Sequence, residues 1–386
     1  MNGSRSKGRR IIAILGALIG AFLRVPLVES QQSTHPSQNQ LQQEVQTPES
    51  ELQVGTRLTH EAKFQEAIPH LLAARAGVSN LYPAEFNLAL CYVATRQSAQ
   101  AIPILTNLRR SHDGTQVENL LAQAYVGVAD SKAALDAVKR AAALAPDNEK
   151  LYLFVADACT ENQNYELGLD VVELGLQHLP NSASLRYQRA IFLSSLDEFD
   201  AARPDFALAK KIGSGTDIGY LAAAQESLLA GKIEEAVGAA REAISSGHEN
   251  YRLLTILGEG LLRWGIAPGQ PEFAEAEAAL SKAVSMRPNY FDAQLALGKL
   301  YLLSHRLNDV IGHLEHARAL APHNPSVYSN LAAAYREHGD LEKAQQMLAM
   351  LAQINREHVE KISSAPGERK PVAGMSSANR RDVPKD

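Results

Sequence analysis

The chain lacks several features that would point to a specific chemistry. No strongly basic stripe is present and the formal net charge is −5, which argues against a nucleic-acid partner. The apolar run from Ile11 to Leu23 is shorter than the roughly 20 residues that a membrane-crossing helix needs. Aromatic residues make up 6% and charged residues 21% of the 386 residues, a composition that is ordinary for a soluble helical protein.

Catalytic and metal-binding constellations are also missing. His313 and His316 lie three residues apart, but no carboxylate or third histidine is in register to complete a metal site. Asp157 and Glu161 share one predicted helical face, yet no positioned nucleophile, histidine or metal site accompanies them as an acid–base pair. The sequence therefore predicts no catalytic residues, no metal and no cofactor, and the protein is not expected to be an enzyme.

A repeat of about 34 residues runs through most of the chain. Repeats start at residues 48, 82, 115, 149, 183, 217, 251, 291 and 325, and the eighth residue is glycine or alanine in all nine. The twentieth and twenty-seventh residues are also mostly small, when a short insertion in the seventh repeat is allowed for. These spacings place one small residue on a first helix and two on a second, where helix axes approach each other most closely.

Apolar residues at helical spacing and helix-breaking residues complete each repeat. Pairs such as Leu88 and Tyr92, or Leu297 and Tyr301, lie four residues apart on the predicted first helices. Several repeats end in a proline, for example Pro146, which cannot continue a helix. Each repeat is therefore predicted to be a helix, a turn, a second helix and a break.

This order of residues resembles the tetratricopeptide repeat. The eighth repeat shows most of the family pattern, with Leu297, Gly298, Tyr301, Leu314, Ala317 and Pro322. The resemblance covers roughly residues 48 to 358. It implies an all-α fold, a right-handed α-solenoid superhelix of nine tandem helix-turn-helix units.

Two expectations about packing follow from the stacking of these units. Cys91 and Cys159 fall two units apart, too far for a disulfide, so both are expected to be buried, inert thiols. Looser packing is expected at the fourth position of the repeat, where the family has a bulky residue and this chain has Glu51, Glu85, Glu118, Arg186 and Gln294.

The first 30 residues are predicted to be a secretory signal peptide. Arg5, Lys7, Arg9 and Arg10 precede the apolar run, and small or medium residues fit cleavage near Ser30. Retention of the segment as an N-terminal anchor, with its basic residues left inside, is the alternative.

The predicted organisation places a Gln/Ser-rich flexible linker at residues 31–47, the solenoid at 48–358 and a disordered polar tail at 359–386. The protein is thus expected to be exported across the cytoplasmic membrane and to be periplasmic or secreted. Inner-membrane anchoring through residues 11–23 is the alternative.

In the family, first helices line the concave surface, and positions 2, 5, 9, 12 and 13 of each repeat point inward. Transferred to this chain, these positions give a polar, partly acidic lining in units three and four, with Asn119, Gln123, Asp157 and Glu161. The lining of units six to eight is apolar with charged flanks and comprises Ile218, Leu221, Gln225, Leu228, Leu229, Arg252, Glu259, Leu262, Arg263, Asp292, Leu295, Lys299, Leu302 and Leu303. Some of these leucines could instead pack between units, because the two kinds of position are adjacent on a helix.

The resemblance implies a noncatalytic protein–protein interaction scaffold that binds a peptide or helix of a partner protein in this groove. A membrane-anchored accessory subunit of an envelope secretion or surface-polymer assembly machine is the alternative. Unit seven also carries an insertion from Gly265 to Glu272, after the only tryptophan, Trp264. It is interpreted as a surface loop or as an edge contact for a partner with Trp264 as anchor.

Overall fold

The computed structural model describes residues 47–112 and 114–364, and within them all regular secondary structure is helical. Eighteen α-helices follow one another in these residues, two to each unit. The predicted all-α fold of tandem helix-turn-helix units is therefore confirmed.

The first helices of units one to nine are α1 (Pro48–His60), α3 (Leu81–Ala94), α5 (Thr115–Gly127), α7 (Glu149–Glu161), α9 (Ala183–Ser195), α11 (Asp217–Leu229), α13 (Tyr251–Trp264), α15 (Phe291–Leu303) and α17 (Pro325–His338). The second helices are α2 (Phe64–Arg75), α4 (Ser98–Ser111), α6 (Ser131–Leu144), α8 (Tyr165–His178), α10 (Phe199–Ile212), α12 (Ile233–Ser245), α14 (Pro271–Met286), α16 (Leu307–Leu320) and α18 (Leu341–Ser364).

Polar residues in the connections between units start several of the first helices. Ser182 Oγ accepts a hydrogen bond from the Leu185 N–H at 2.9 Å, and Asn250 Oδ1 accepts one from the Leu253 N–H at 3.0 Å. Such side chains satisfy amide groups that have no partner inside the helix. The chain therefore enters a new helix at a defined residue of the repeat.

One residue in the left-handed conformation makes the turn inside every unit. It is the fifteenth residue of each repeat, and its φ ranges from 54° at Gln163 to 90° at Gly339. Glycine, which adopts this conformation without strain, stands there in units six, seven and nine. The other units place Ala62, Arg96, Ala129, Gln163, Asp197 and His305 at the same position.

The small residue at the eighth position lets the two helices of a unit touch. At Gly258 in α13 an added Cβ would lie 2.3 Å from Cγ of Leu280 in α14. At Gly298 in α15 it would lie 2.6 Å from Cδ2 of Leu314 in α16. A side chain at either glycine would have to displace a neighbour in a close-packed interior, as the small-residue pattern predicts.

The units share an interior that extends along the stack. Helices pack against the other helix of their unit and against helices of the neighbouring units. One cluster of buried residues runs from Ala122 in α5 to Ile354 in α18, and another covers Leu58 in α1 to Ala124 in α5. Each unit thus buries a face that it could not bury alone.

In units one, five and eight, the fourth position of the repeat is occupied by a buried polar pair and not by loose packing. Three of its residues contact the second helix of their own unit, in each case at a partner 19 residues further along the chain. The pairs are Glu51 with His70 at 2.6 Å, Arg186 with Asp205 at 3.0 Å, and Gln294 with His313 at 2.7 Å. Because Glu51, Asp205 and Gln294 are 8%, 0% and 2% exposed, these pairs satisfy groups that would be costly to bury alone.

The boundaries of two elements differ from the sequence prediction. α14 begins at Pro271, so its first turn takes in the last residues of the predicted insertion. α18 runs to Ser364, beyond the predicted end of the solenoid at residue 358. Trp264 is 46% exposed at the end of α13, beside the remaining loop.

The predicted signal segment, the linker up to residue 46 and the tail after residue 364 lie outside the described residues. Among the helices between residues 47 and 364, none combines the length and the apolar character that a membrane crossing requires.

Candidate partner groove

Three first helices, α13, α15 and α17, line an open pocket of about 420 Å³. Its apolar lining is Leu262, Leu295, Ala296, Leu302 and Leu303, and its polar lining is Glu259, Arg263, Asp292, Lys299 and Asn330. Eight residues that the repeat positions predicted for the groove lie in this pocket, namely Glu259, Leu262, Arg263, Asp292, Leu295, Lys299, Leu302 and Leu303. The predicted lining of units seven and eight therefore converges on one cavity.

Local contacts hold the charged side chains at the edge of this pocket. Arg263 Nη2 donates to Glu259 Oε1 at 2.7 Å, and Arg263 Nη1 donates to the Leu228 carbonyl oxygen at 3.3 Å. Leu295 is 9% exposed, whereas Leu303 is 45% exposed. The pocket thus has an apolar base, an accessible leucine and charged residues at its rim.

Asp292 gives the pocket a carboxyl group that changes charge at mildly acidic pH. The surrounding protein disfavours the charged form and Glu259 repels it, which together raise the pKa of Asp292 from 3.8 to about 6. A hydrogen bond from Tyr290 and the charge of Arg252 act in the opposite direction. Because Asp292 remains accessible to solvent, it exchanges protons with the medium.

The polar residues predicted for the groove in unit three form hydrogen bonds that connect unit three to unit four. Asn119 Nδ2 donates to the Leu151 carbonyl oxygen of unit four at 2.7 Å, and Gln123 Nε2 donates to Asn119 Oδ1 at 2.8 Å. Asn119 is only 3% exposed. It therefore joins two units and offers little surface to a partner.

The leucines predicted in unit six divide between the interior and the surface. Leu221 and Leu228 are 5% and 1% exposed, whereas Leu229 is 36% exposed. Gln225, between them on α11, is half-buried. Leu221 and Leu228 belong to the shared interior, which is the alternative that the sequence left open for these leucines.

Charged residues of units four and seven meet across the stack. Arg252 Nη2 donates to Asp157 Oδ1 at 2.9 Å, and Arg287 forms an ion pair with Glu161. We refer to these four residues as the clasp. Units three apart can approach each other only on the inside of a curved stack, because their outer faces diverge. The clasp therefore spans the inner curve, and its pair of Asp157 and Arg252 joins residues that the sequence had placed in two separate linings.

Tyr251 holds both arginines of the clasp. Its hydroxyl oxygen accepts from Arg252 Nε at 3.0 Å and from Arg287 Nη1 at 3.2 Å, and the Arg287 guanidinium lies 5.2 Å from the centre of its ring. Burial by itself would lower the pKa of Arg252, but Tyr251 and Asp157 raise it well above its ordinary value. Arg252 therefore stays positively charged.

Tyr290 connects the clasp to the pocket. Its ring lies 4.9 Å from the Tyr251 ring in an edge-on arrangement, and it precedes Asp292 of the pocket lining by two residues in the chain. The clasp and the pocket are thus connected through one pair of aromatic rings in edge-on contact.

The remaining residues with reactive groups are used for packing. Cys91 and Cys159 are both buried free thiols, as predicted, and burial raises the pKa of Cys159 to about 12. His316 Nε2 lies 3.1 Å from Asn289 Oδ1. In the part of the chain that the structure describes, no group of three or more side chains could hold a metal ion.

Arg287, Tyr251 and Tyr290 belong to the site, although no inward repeat position pointed to them. Arg287 lies in the connection after α14, outside the first helices on which the groove prediction was based. Repeat positions indicate which residues face inward but not which units approach each other around the curve. The unpredicted partner of Glu161 is therefore a product of the curvature of the stack.

Comparison with known proteins supports the repeat assignment. The family model of the tetratricopeptide repeat matches residues 302–365. Together with the two-helix units along residues 47–364, this match confirms the predicted tetratricopeptide repeats. No curated protein matches the chain.

Several solved structures of tetratricopeptide repeat proteins are similar to this chain. A tetratricopeptide repeat protein from Parabacteroides merdae is 18% identical, and the match covers 66% of this chain and 98% of that chain with a TM-score of 0.46. The Cut9–Hcn1 hetero-tetramer of the APC/C is 14% identical over 82% of this chain and 66% of that chain, with a TM-score of 0.49. YrrB, described as a protein with an unusual peptide-binding site, is 20% identical over 51% of this chain and 98% of that chain, with a TM-score of 0.33. At these identities the similarities concern the fold alone.

Proposed function

We propose that this tetratricopeptide repeat protein is a noncatalytic scaffold that binds a peptide or helix of a partner protein in its inner groove. The repeat fold suggests protein–protein interaction in general. The observation that carries the more specific proposal is the pocket between α13, α15 and α17. Its apolar base and charged rim suit a segment with an apolar anchor side chain and charged flanks.

The size of the pocket limits what enters it. Its volume of about 420 Å³ lies at the lower end of the range for concave binding sites, roughly 300–1,000 Å³. Side chains of a helix or of an extended segment fit such a space, whereas a folded domain does not. The partner is therefore expected to present one protruding segment.

Affinity capture with the full chain as bait tests the groove. Leu303→Glu places a charge in the pocket at a residue that is 45% exposed, so the fold should tolerate the substitution. We expect the partner that the wild-type bait recovers from envelope extract to be lost with the Leu303→Glu bait, because the apolar contact is replaced by a solvated charge.

The matched control is Leu348→Glu, which makes the same substitution at a 53% exposed leucine of α18, outside the pocket. This bait should recover the same partner as the wild type. Equal recovery by all three baits would show that the pocket is not the binding site.

We also propose that the protein is exported. The proposal is supported by the basic residues before the apolar run and by the cleavage pattern near Ser30. Cell fractionation with N-terminal sequencing tests it. A chain that begins near Gln31 in the soluble extract would support the free scaffold, and an intact Met1 in membranes would support the anchored accessory subunit.

A further inference from the structure

The clasp joins two units that share no extensive helix packing. In the described residues, all extensive helix packing is within a unit or between neighbouring units. Asp157 and Arg252 are 95 residues apart, and Glu161 and Arg287 are 126 residues apart. The contact between units four and seven therefore depends on side chains, which can separate without any change in helix packing.

The arginines of the clasp are positioned by their own unit. Tyr251 accepts hydrogen bonds from both guanidinium groups, and these bonds do not involve Asp157 or Glu161. Removal of the two carboxylates would therefore leave a pair of oriented cations on the inner curve. Guanidinium groups in this arrangement favour carboxylate ligands.

The carboxylates of the clasp show which ligand fits these cations. Asp157 and Glu161 lie four residues apart on α7, which places them one helical turn apart on the same face. Their side chains are 27% and 43% exposed, so water and salt reach the ion pairs and weaken them. A competing pair of carboxylates with the same spacing can therefore replace them.

We propose that Arg252 and Arg287 form a receptor for an acidic helix of the partner protein, which presents two carboxylates one turn apart. Asp157 and Glu161 occupy this receptor in the unbound protein. The inference rests on the proposed scaffold function and adds the chemistry of the partner to it. Displacement of Asp157 and Glu161 also frees unit four from unit seven, so that the inner curve opens beside the pocket.

A model peptide tests the receptor. The probe is a fluorescently labelled, alanine-based helical peptide with two glutamates four residues apart, and binding to the full chain is followed by fluorescence anisotropy at low salt. An Asp157→Asn, Glu161→Gln double variant should bind this peptide about tenfold more tightly than the wild type, if the internal carboxylates occupy the receptor for about nine-tenths of the time.

Three controls define the specificity of that gain. A peptide with glutamines in place of both glutamates should bind neither protein. An Arg252→Gln, Arg287→Gln double variant should lose binding of the glutamate peptide. Glu275→Gln removes an ion pair with Arg241 between neighbouring units and should leave binding as in the wild type. Far-UV circular dichroism verifies that each variant is folded.

Unchanged or weaker binding of the glutamate peptide by the double carboxylate variant would overturn the proposal, and so would an absence of binding to every protein tested. Partner capture with the Leu303→Glu bait distinguishes a failure of the receptor proposal from a failure of the proposed scaffold function. If Leu303→Glu abolishes partner capture while the glutamate peptide binds to no protein, the groove stands and the acidic receptor is wrong.

Discussion

The interior of the stack and its inner curve both contain arginine–carboxylate ion pairs, but the pairs of the two regions have different roles. In unit five, Asp205 is 0% exposed and accepts hydrogen bonds from Arg186 and Arg189 of the same unit. In the clasp, Asp157 and Glu161 are partly exposed, and their partners belong to a unit three positions away. A buried pair fixes the geometry of one unit, whereas a partly exposed pair sets the distance between units and can exchange its partner.

The largest effect is expected in the interior, at Asp205. Asp205→Asn removes the charge that compensates two arginines, and the loss of one partner of a buried pair should lower the free energy of unfolding by about 3 kcal/mol. Urea unfolding followed by circular dichroism measures this change. Asp200→Asn on the same helix is the control, because the Asp200 side chain is 97% exposed and its change should stay within about 0.5 kcal/mol. Equal stabilities of the two variants would remove the distinction between the two regions.

A second test of the interior concerns its small residues. Gly258→Ala brings a Cβ to 2.3 Å from Leu280, and this overpacking should lower the free energy of unfolding by about 2 kcal/mol. Gly238→Ala in α12 is the matched control, because nothing lies within 4 Å of the added Cβ. That variant should gain about 0.5–1 kcal/mol, since alanine is the better helix former. A gain in both variants would mean that the helices do not pack tightly at the eighth position.

The inner curve should respond in shape more than in stability. Asp157→Asn with Glu161→Gln should cost about 1 kcal/mol, because these ion pairs are partly exposed and contribute less than the buried pairs of Asp205. The radius of gyration measured by small-angle X-ray scattering at low salt should nevertheless increase, since units four and seven separate. The wild type should reach the same radius in about 1 M salt, where the charges are screened. An identical radius for both proteins at every salt concentration would show that the clasp does not determine the curvature.

The smallest effect is a local titration on the inner curve. The carboxyl carbon of Asp292, followed by NMR, should titrate with a midpoint near 6. Since the raised pKa means that the folded chain holds this proton more tightly than the unfolded chain, stability from Asp292 is present at low pH and is lost between about pH 4 and 6. Glu259→Gln should lower the midpoint, because the repulsion is removed. Asp340 serves as a reference, since hydrogen bonding to Lys343 lowers its pKa. A midpoint that does not move with Glu259→Gln would contradict the repulsion of Asp292 by Glu259.

The fold could be predicted because its causes recur with the repeat. The eighth residue is small in every unit, and the contact of Gly258 with Leu280 shows why nothing larger fits. The left-handed turn was only partly visible, since glycine marks it in three units and residues such as Ala129 adopt it without any sequence signal. The expectation of loose packing at the fourth position was wrong for Arg186 and Gln294. Asp205 and His313, each 19 residues further along the chain, supply polar partners to these two residues.

The site could be predicted where it lies on consecutive units and not where it joins distant ones. Inward positions identified Leu295 and Lys299, because both follow from the helical period within one helix. The same rule could not separate Leu228 from Leu229, which are adjacent and differ from 1% to 36% in exposure. The pairing of Arg287 with Glu161 was invisible, since it depends on small rotations that accumulate over three units.

The clasp also has a consequence for the order of folding. Stacked units can be added one after another, since each contact involves a neighbour that is close in sequence. Asp157 and Arg252 are separated by 95 residues, and they can meet only when units four to seven are already stacked. The clasp therefore closes last, and its formation marks the moment at which the central units reach their final curvature.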